Sequence, residues 1–451
     1  MALPPQLKMT TALCLLSVAA ALSLGSYAPE SYLDITYGHG LPTYGPSLPP
    51  PYASGLASQG PLQEVFQYNQ LQYNVPLGAQ FDNGAYDPSR NVFTGLELTR
   101  DRIFLAVPRL YPGVPSTINF VPRVSSVPNP PLQPFPGWEW QSPNGIGGYG
   151  ANCSGLVSVY RIRADRCNRL WVLDSGLTNS LAGFIPVCTP KLIAFDLSTD
   201  QPVRTITFPR AALRPSTLLT NLVIDDVDGP ARDPRCDRLV FYLSDTAVPA
   251  IVVYDSGRDQ VRRISDLSMY PDPDFGMYTI NGESFSLMDG VIGMALSPPP
   301  NRVLYFQPLA TDKVFSVPTS ALRDFAAGES QMLPVSLVGR KSSAGAGLAT
   351  DRDGILYFSP IQENAVAFYD PNSGRQAVIA SDDTRLQFAA ELRIDETDGS
   401  LWLLSTRFQK FFLNTINPNE VNLRVIRIPR EAIQGGHRVF ARSTSNSTAV
   451  F

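Results

Sequence analysis

The sequence predicts an all-β fold, namely a six-bladed β-propeller of four-stranded antiparallel blades. Two observations support this prediction. A short segment of apolar and aromatic residues recurs six times, at spacings of 46 to 69 residues. A second apolar segment, often ending in Asp, follows each copy. Short β-branched and aromatic runs separated by turn residues are typical of strands, and repetition at this period is typical of propeller blades.

Each copy supplies the second and third strands of a blade, and the sequence around it supplies the first and fourth. The second strands begin at Arg102, Leu170, Leu239, Val303, Ile355 and Leu401, and the third strands at Thr117, Lys191, Ala250, Lys313, Ala365 and Asn422. A parallel α/β fold would need long amphipathic helices between strands. Only residues 211–213, 321–325 and 431–433 have even a briefly helical pattern, which favours the all-β alternative.

The parts outside this repeat predict a secreted protein. Residues 1–25 have the pattern of a secretory signal, with Lys8 before an apolar run at 11–24. That run is short of the ~20 residues that a spanning helix needs, so we expect an extracellular protein without a membrane span. The Pro-, Tyr- and Gly-rich residues 26–61 predict a disordered leader. The propeller is expected at 62–440 and a polar tail at 441–451.

Composition narrows the classes of function. The formal net charge of −4 gives no broad basic field, so we expect no nucleic-acid partner. The chain contains two histidines, and both His39 and His437 lie near its ends. A Ser-His-Asp triad, a histidine-rich zinc site or a histidine base is therefore disfavoured. We also expect no cofactor, and no metal site, since no calcium-loop motif is present. A cation held by carboxylates in the channel stays open as an alternative, although no motif specifies one.

The blade model predicts two disulfides. Cys14 belongs to the signal, which leaves an even number of cysteines in an oxidising compartment. Cys167 and Cys236 occupy equivalent hairpins of consecutive blades and should pair between blades. Cys153 and Cys188 belong to the opposite face of one blade and should pair within it. Asn152 and Asn446 lie in glycosylation sequons, and Asn446 is the better candidate acceptor, because it lies in a polar tail whereas Asn152 abuts a predicted disulfide cysteine.

Several motifs resemble the insect yellow/major royal jelly family. They are Asn152-Cys-Ser-Gly-Leu-Val-Ser-Val-Tyr160, Cys167-Asn-Arg-Leu-Trp-Val-Leu-Asp-Ser-Gly176, Pro190-Lys-Leu-Ile-Ala-Phe-Asp196, Asp289-Gly-Val-Ile-Gly-Met-Ala-Leu-Ser297, Leu356-Tyr-Phe-Ser359, Leu401-Trp-Leu-Leu-Ser405 and the run 411–427. The resemblance covers roughly residues 62–435. It implies an insect source, secretion and a six-bladed propeller. It leaves activity open, because the family includes pigmentation and cuticle factors, dopachrome-converting proteins, jelly proteins and salivary binders of amines.

Candidate functional residues lie where loops reach the mouth of the central channel. An aromatic amine needs an anionic or carbonyl partner for its nitrogen and a ring to stack on. The candidate ligand-binding residues are Asn281, Glu283, Thr406, Phe412 and Asn422, and the candidate catalytic carboxylates are Glu283 and Asp226.

Two classes of function stay open. The first, which the sequence favours, is a non-enzymatic protein of cuticle or eggshell pigmentation or matrix. Such a protein would bind small aromatic amines or catechols, and its further partners would be extracellular-matrix or cuticle proteins. The alternative is a dopachrome-converting isomerase or tautomerase of melanin synthesis. With so little histidine, its base would have to be a carboxylate.

Overall fold

The computed structural model describes residues 61–81, 84–141, 153–300, 302–327 and 332–434. The signal, the tail, both histidines and both sequon asparagines lie outside these ranges, as does the leader apart from its last residue. In chain order the strands are β1 (Gln63–Tyr68), β2 (Gly95–Leu98), β3 (Arg102–Ala106), β4 (Ile118–Pro122), β5 (Gln133–Pro134), β6 (Val159–Ala164), β7 (Arg169–Asp174), β8 (Leu177–Thr178), β9 (Ile185–Pro186), β10 (Lys191–Asp196), β11 (Gln201–Thr207), β12 (Leu219–Asp225), β13 (Val240–Asp245), β14 (Ala250–Asp255), β15 (Gln260–Ile264), β16 (Met277–Ile280), β17 (Glu283–Ser286), β18 (Val291–Leu296), β19 (Val303–Pro308), β20 (Lys313–Pro318), β21 (Ser336–Arg340), β22 (Leu348–Thr350), β23 (Leu356–Phe358), β24 (Ala365–Asp370), β25 (Arg375–Ser381), β26 (Ala389–Ile394), β27 (Leu401–Ser405) and β28 (Leu423–Ile428).

Helices are few and short in the described ranges. They are α1 (Trp138–Gln141), α2 (Gly229–Arg232), α3 (Thr319–Leu322) and α4 (Phe408–Leu413), with 3-10 turns at Pro88–Arg90, Arg210–Ala212, Leu267–Met269 and Pro273–Phe275. The three brief helical patterns in the sequence correspond to a 3-10 turn, to α3 and to helical residues 430–434. None of the described helices is long and apolar enough to cross a membrane.

The strands form six four-stranded antiparallel blades, which confirms the predicted fold. Blade 1 is β2–β5, blade 2 is β6, β7, β10 and β11, blade 3 is β12–β15, blade 4 is β18–β21, blade 5 is β22–β25, and blade 6 is β26, β27, β28 and β1. The first strand of each blade contacts the first strand of the next, and β26 contacts β2 in the same way. These six first strands therefore line a central channel in a closed ring.

An early strand closes the ring. β1 pairs antiparallel with β28 as the outer strand of blade 6, with Gln63 opposite Arg427 and Tyr68 opposite Leu423. The Arg424 Nε–Glu64 Oε2 ion pair of 3.1 Å ties the two strands further. Blade 6 therefore consists of three late strands and one early strand, and no blade is left short of its fourth strand.

The space between blades is filled with apolar side chains from alternate strand positions. Trp171 of blade 2 packs on Phe241 of blade 3, with ring centroids 4.6 Å apart and both side chains buried. Because residues two apart on a strand share a face, the other set of first-strand side chains faces the channel. Apolar layers therefore hold neighbouring blades together. The first-strand side chains that alternate with these apolar residues line the channel.

Two disulfides join the pairs that the sequence predicts. Cys153–Cys188 lies within blade 2, with the Cα atoms 5.5 Å apart. Cys167–Cys236 joins the hairpin between β6 and β7 to the hairpin between β12 and β13. Such bridges each stabilise a fold by a few kcal/mol, about 2–4, chiefly by restricting the unfolded chain.

The ring has two different faces. We call the side that carries the turns between first and second strands the hairpin face. Contacts between neighbouring turns, such as Arg302 of blade 4 with Asp225 of blade 3, define it. We call the other side the crossover face, because the chain passes there from each blade to the next. An additional hairpin, β16–β17, lies on the crossover face in the connection from blade 3 to blade 4.

Candidate functional site

The hairpin β16–β17 owes its shape to its two turn residues. Asn281 has φ 48° and Gly282 has φ 82°. Two consecutive left-handed residues form the tight turn that matches the twist of antiparallel strands, and Asn-Gly is the favoured sequence for it. The turn brings Asn281 and Glu283 to the tip of the hairpin. Two of the predicted ligand-binding residues therefore lie together.

The tip of this hairpin reaches blades 5 and 6. The Asn281 side chain donates to the Asp383 carbonyl oxygen at 2.7 Å and accepts from Asn364 Nδ2 at 2.6 Å. Glu283 Oε1 lies 3.2 Å from Lys410 Nζ on α4, and both side chains are 24% exposed. The hairpin therefore extends from the junction of blades 3 and 4 over the rim of the channel toward blade 6.

An aromatic cluster lies beneath the hairpin. Phe285 stacks on Tyr278 with centroids 5.0 Å apart and contacts Phe412 at 5.1 Å. It also contacts Phe388, directly before the first strand of blade 6, and Phe408 on α4. These rings belong to the largest apolar core of the protein. The predicted residue Phe412 is thus part of an apolar layer at the channel mouth, together with rings that the sequence reasoning did not select.

Asp289, on the crossover face, differs from the structural carboxylates of the fold in its surroundings. It lies two residues before β18, and its side chain is partly buried. A backbone hydrogen bond fixes its position, because Ala310 N donates to the Asp289 carbonyl oxygen at 3.3 Å. Loss of hydration raises the pKa of Asp289 to about 6. The pKa of the neighbouring Tyr278 is raised by burial and, to a smaller extent, by the charge of Asp289. Among the described residues, no donor or cation pairs with this carboxylate.

The remaining predicted residues occupy different surroundings. Thr406 and Asn422 are each 1% exposed. Thr406 Oγ1 donates to the Phe388 carbonyl oxygen, and Asn422 Nδ2 donates to three backbone carbonyls near the junction of β1 and β28. Asp226 lies on the hairpin face, paired with Arg166. The structure therefore brings together Asn281, Glu283 and Phe412, but places Asp226 on the other side of the ring.

Charged side chains fill the channel itself. Arg161 and Arg163 alternate along β6, and both contact Glu391 of β26, with Arg163 Nη2 at 2.9 Å from Oε1. Arg393 of β26 pairs with Glu97 of β2, at 2.9 Å between Nη2 and Oε2. All except Arg393 are at most 6% exposed. This network joins the first strands of blades 1, 2 and 6 across the channel.

Sequence reasoning missed both the network and Asp289. The signal for the network was present, because the apolar first strands carry charges two positions apart, as in Val159-Tyr-Arg-Ile-Arg-Ala164 and Ala389-Ala-Glu-Leu-Arg-Ile394. No such signal marked Asp289, because carboxylates at strand boundaries are common and most of them accept hydrogen bonds from nearby backbone amides. Asp174, for example, accepts from the backbone of Val157 and Ser158 at 2.9 Å each. In the described ranges, no three potential metal-ligating side chains converge.

The fold and the channel residues place the protein among six-bladed propellers that have charged side chains in the channel and a hairpin over one mouth. Similarity to known proteins then identifies the family. Residues 157–437 match the family model described as major royal jelly protein, and this chain belongs to that family.

Three curated relatives illustrate the range of the family. "Dopaminechrome tautomerase" of Drosophila melanogaster is 27% identical, covering 83% of each chain. "Major royal jelly protein 1" of Apis mellifera is 29% identical, covering 82% of this chain and 91% of the relative. "Protein yellow" of Drosophila yakuba is 31% identical, covering 82% of this chain and 69% of the relative.

Proposed function

We propose that this yellow-like protein binds a small aromatic amine or catechol at the crossover-face mouth of the channel. The carboxylate of Asp289 would receive the ammonium group, and the rings around Phe285 would receive the aromatic ring. The observation that carries the proposal is a partly buried carboxylate with a raised pKa and no protein partner among the described residues. An ammonium beside it would favour the ionised form and offset its lost hydration.

The charge in the channel supports a ligand at the mouth rather than deeper. Three arginines and two glutamates give the network a net charge of +1, which repels an ammonium. Glu283, predicted from the sequence, is a weaker anchor than Asp289, because an incoming amine would have to displace Lys410. It suits a second role, holding the hairpin over the bound ligand.

Secretion and a place in cuticle, eggshell or other matrix complete this proposal. Two disulfides support an oxidising compartment. The relatives include proteins named yellow. Matrix or cuticle proteins would then be further partners, with the small ligand carried at the crossover face.

Binding is tested by calorimetry with dopamine, serotonin and octopamine. We expect at least one to bind wild-type protein, and Asp289→Asn to weaken that binding tenfold or more, by roughly the loss of one charge-assisted contact. Asp226→Asn is the matched control, since it removes a carboxylate on the hairpin face and should bind as wild type does. Absence of binding for all three amines, or equal affinity of the two variants, would contradict the proposal.

A second candidate, tautomerisation of an aminochrome, is favoured by the same carboxylate. A general base works best when its pKa lies near the working pH, and the pKa of Asp289 is raised to about 6. Asp289 would take a proton from a ring carbon, and a proton would return to an oxygen, without net oxidation. The relative named dopaminechrome tautomerase makes dopaminechrome the probe. Decay of its colour no faster than in buffer, or equally fast with Asp289→Asn, would exclude this candidate.

A further inference from the structure

The charge network in the channel is unbalanced at one place. Among the described residues, Arg161 and Arg163 share a single carboxylate, that of Glu391, and the three side chains are 3%, 5% and 4% exposed. The group therefore carries a net charge of +1 in a buried position. A buried charge without a counter-charge destabilises a fold even after the surroundings relax.

The second carboxylate of the channel does not balance this group. Glu97 pairs with Arg393, and that pair is neutral by itself. The other guanidinium donors of the group meet neutral oxygens. Arg161 Nη2 donates to the Ala390 carbonyl oxygen at 2.9 Å, and Arg163 Nη2 donates to Asn221 Oδ1 at 3.2 Å. These contacts satisfy hydrogen bonds but supply no negative charge.

The titration of Arg163 agrees with a shortage of negative charge. Burial lowers the pKa of its guanidinium to about 10, although Glu391 and Glu97 both act to raise it. The charges of the neighbouring Arg393 and Arg161 act to lower the pKa as well, so an additional anion would be favoured at this position.

We propose that the channel binds a small monovalent anion, for which chloride is the probe, between the Arg161 and Arg163 guanidiniums. One negative charge matches the excess of +1, whereas a divalent anion would reverse it. A compact ion suits closely packed strands, and chloride is abundant outside cells. The anion would neutralise the excess charge where the blade 2 arginines reach Glu391 of blade 6 across the channel. This site is independent of the amine site, because it lies on other residues and takes the opposite charge.

The test is thermal unfolding of the full-length secreted protein in chloride, with gluconate keeping the ionic strength constant. Raising chloride from about 5 mM to about 500 mM should raise the midpoint by about 3 °C, as linkage predicts for millimolar affinity and a domain of this size. Arg163→Met removes the excess charge and leaves the Arg161–Glu391 pair, so its midpoint should not respond to chloride. Arg235→Met, whose side chain is 86% exposed, is the control and should respond as wild type does.

A second measurement keeps the proposal testable if Arg163→Met does not fold. Crystals of the wild-type protein soaked in bromide should give an anomalous peak beside Arg161 and Arg163. A midpoint equal in chloride and gluconate would overturn the proposal. So would a chloride response retained in Arg163→Met, or bromide found elsewhere with none in the channel.

Discussion

Replacement of Asp289 by asparagine should stabilise the ligand-free protein at neutral pH. The side chain keeps its shape but loses a charge that the fold partly removes from water and that has no partner among the described residues. The pKa rises from 3.8 to about 6 on folding. That rise corresponds to about 3 kcal/mol of destabilisation when the carboxyl is ionised. For a propeller of about 370 residues, this is about 4 °C in the unfolding midpoint.

The pH dependence of this gain has a definite sign. Between the unfolded pKa of 3.8 and the folded pKa of about 6, native protein holds a proton that unfolded protein has lost. Wild-type stability from this group therefore falls as pH rises through that window. The asparagine variant lacks the effect. The difference between variant and wild type should be near zero below the window and largest above it.

The assay is thermal or urea unfolding of both proteins on either side of this window, without ligand. Other groups titrate alike in the two proteins and cancel in the difference. A variant less stable than wild type at neutral pH, or a difference that does not change with pH, would refute the reasoning. A less stable variant would mean that the Asp289 carboxylate is paired in the folded protein, and a constant difference would mean that its pKa does not change on folding. The expected combination, a more stable protein that binds amines less well, is typical of binding-site residues.

Three further changes test other parts of the structure. Glu283→Gln should speed amide hydrogen exchange in the β16–β17 hairpin while costing at most about 1 kcal/mol overall, because its pair with Lys410 is partly exposed. Phe285→Ala should cost about 3–5 kcal/mol in urea unfolding, because it empties the centre of the aromatic cluster. Joint replacement of Cys167 and Cys236 by serine should cost up to about 4 kcal/mol, because that bridge spans 69 residues.

For each of these three predictions, one outcome would contradict the expected result. Unchanged exchange in Glu283→Gln would mean that the ion pair does not hold the hairpin. A loss below about 1 kcal/mol for Phe285→Ala would mean that the cluster collapses around the gap or that the ring packs loosely. If the double serine variant unfolds with wild-type stability, the inter-blade bridge does not restrict the unfolded chain. The same replacement at Cys153 and Cys188 would then show whether the other bridge does.

The fold was predictable because its evidence is local and repeated. Each second and third strand starts within a few residues of the predicted position, since a β-branched or aromatic run between turns needs no distant partner to be recognised. The disulfide pairs followed because equivalent hairpins of consecutive blades must be neighbours once the ring is assumed. Cys167 and Cys236 could thus be paired from repeat phase alone.

The site was only partly predictable, because its members come from distant places in the chain. Glu283 and Lys410 meet only because the β16–β17 hairpin crosses to another blade, and no repeat describes that hairpin. The raised pKa of Asp289 depends on lost hydration, which composition does not report. The pairing of β1 in blade 6 was also not predictable, since the sequence of a single strand does not show which other strand it pairs with.

The pairing of β1 with β28 has a consequence for biosynthesis. On the ribosome, residues 63–68 emerge long before residues 423–428, so the first strand must wait while five blades are translated. Until then its backbone groups lack their native partner, and an unpaired strand edge of this kind makes a nascent chain prone to wrong contacts. Truncation of the message before β28 should therefore yield a product that quality control retains, even though most of its blades are complete.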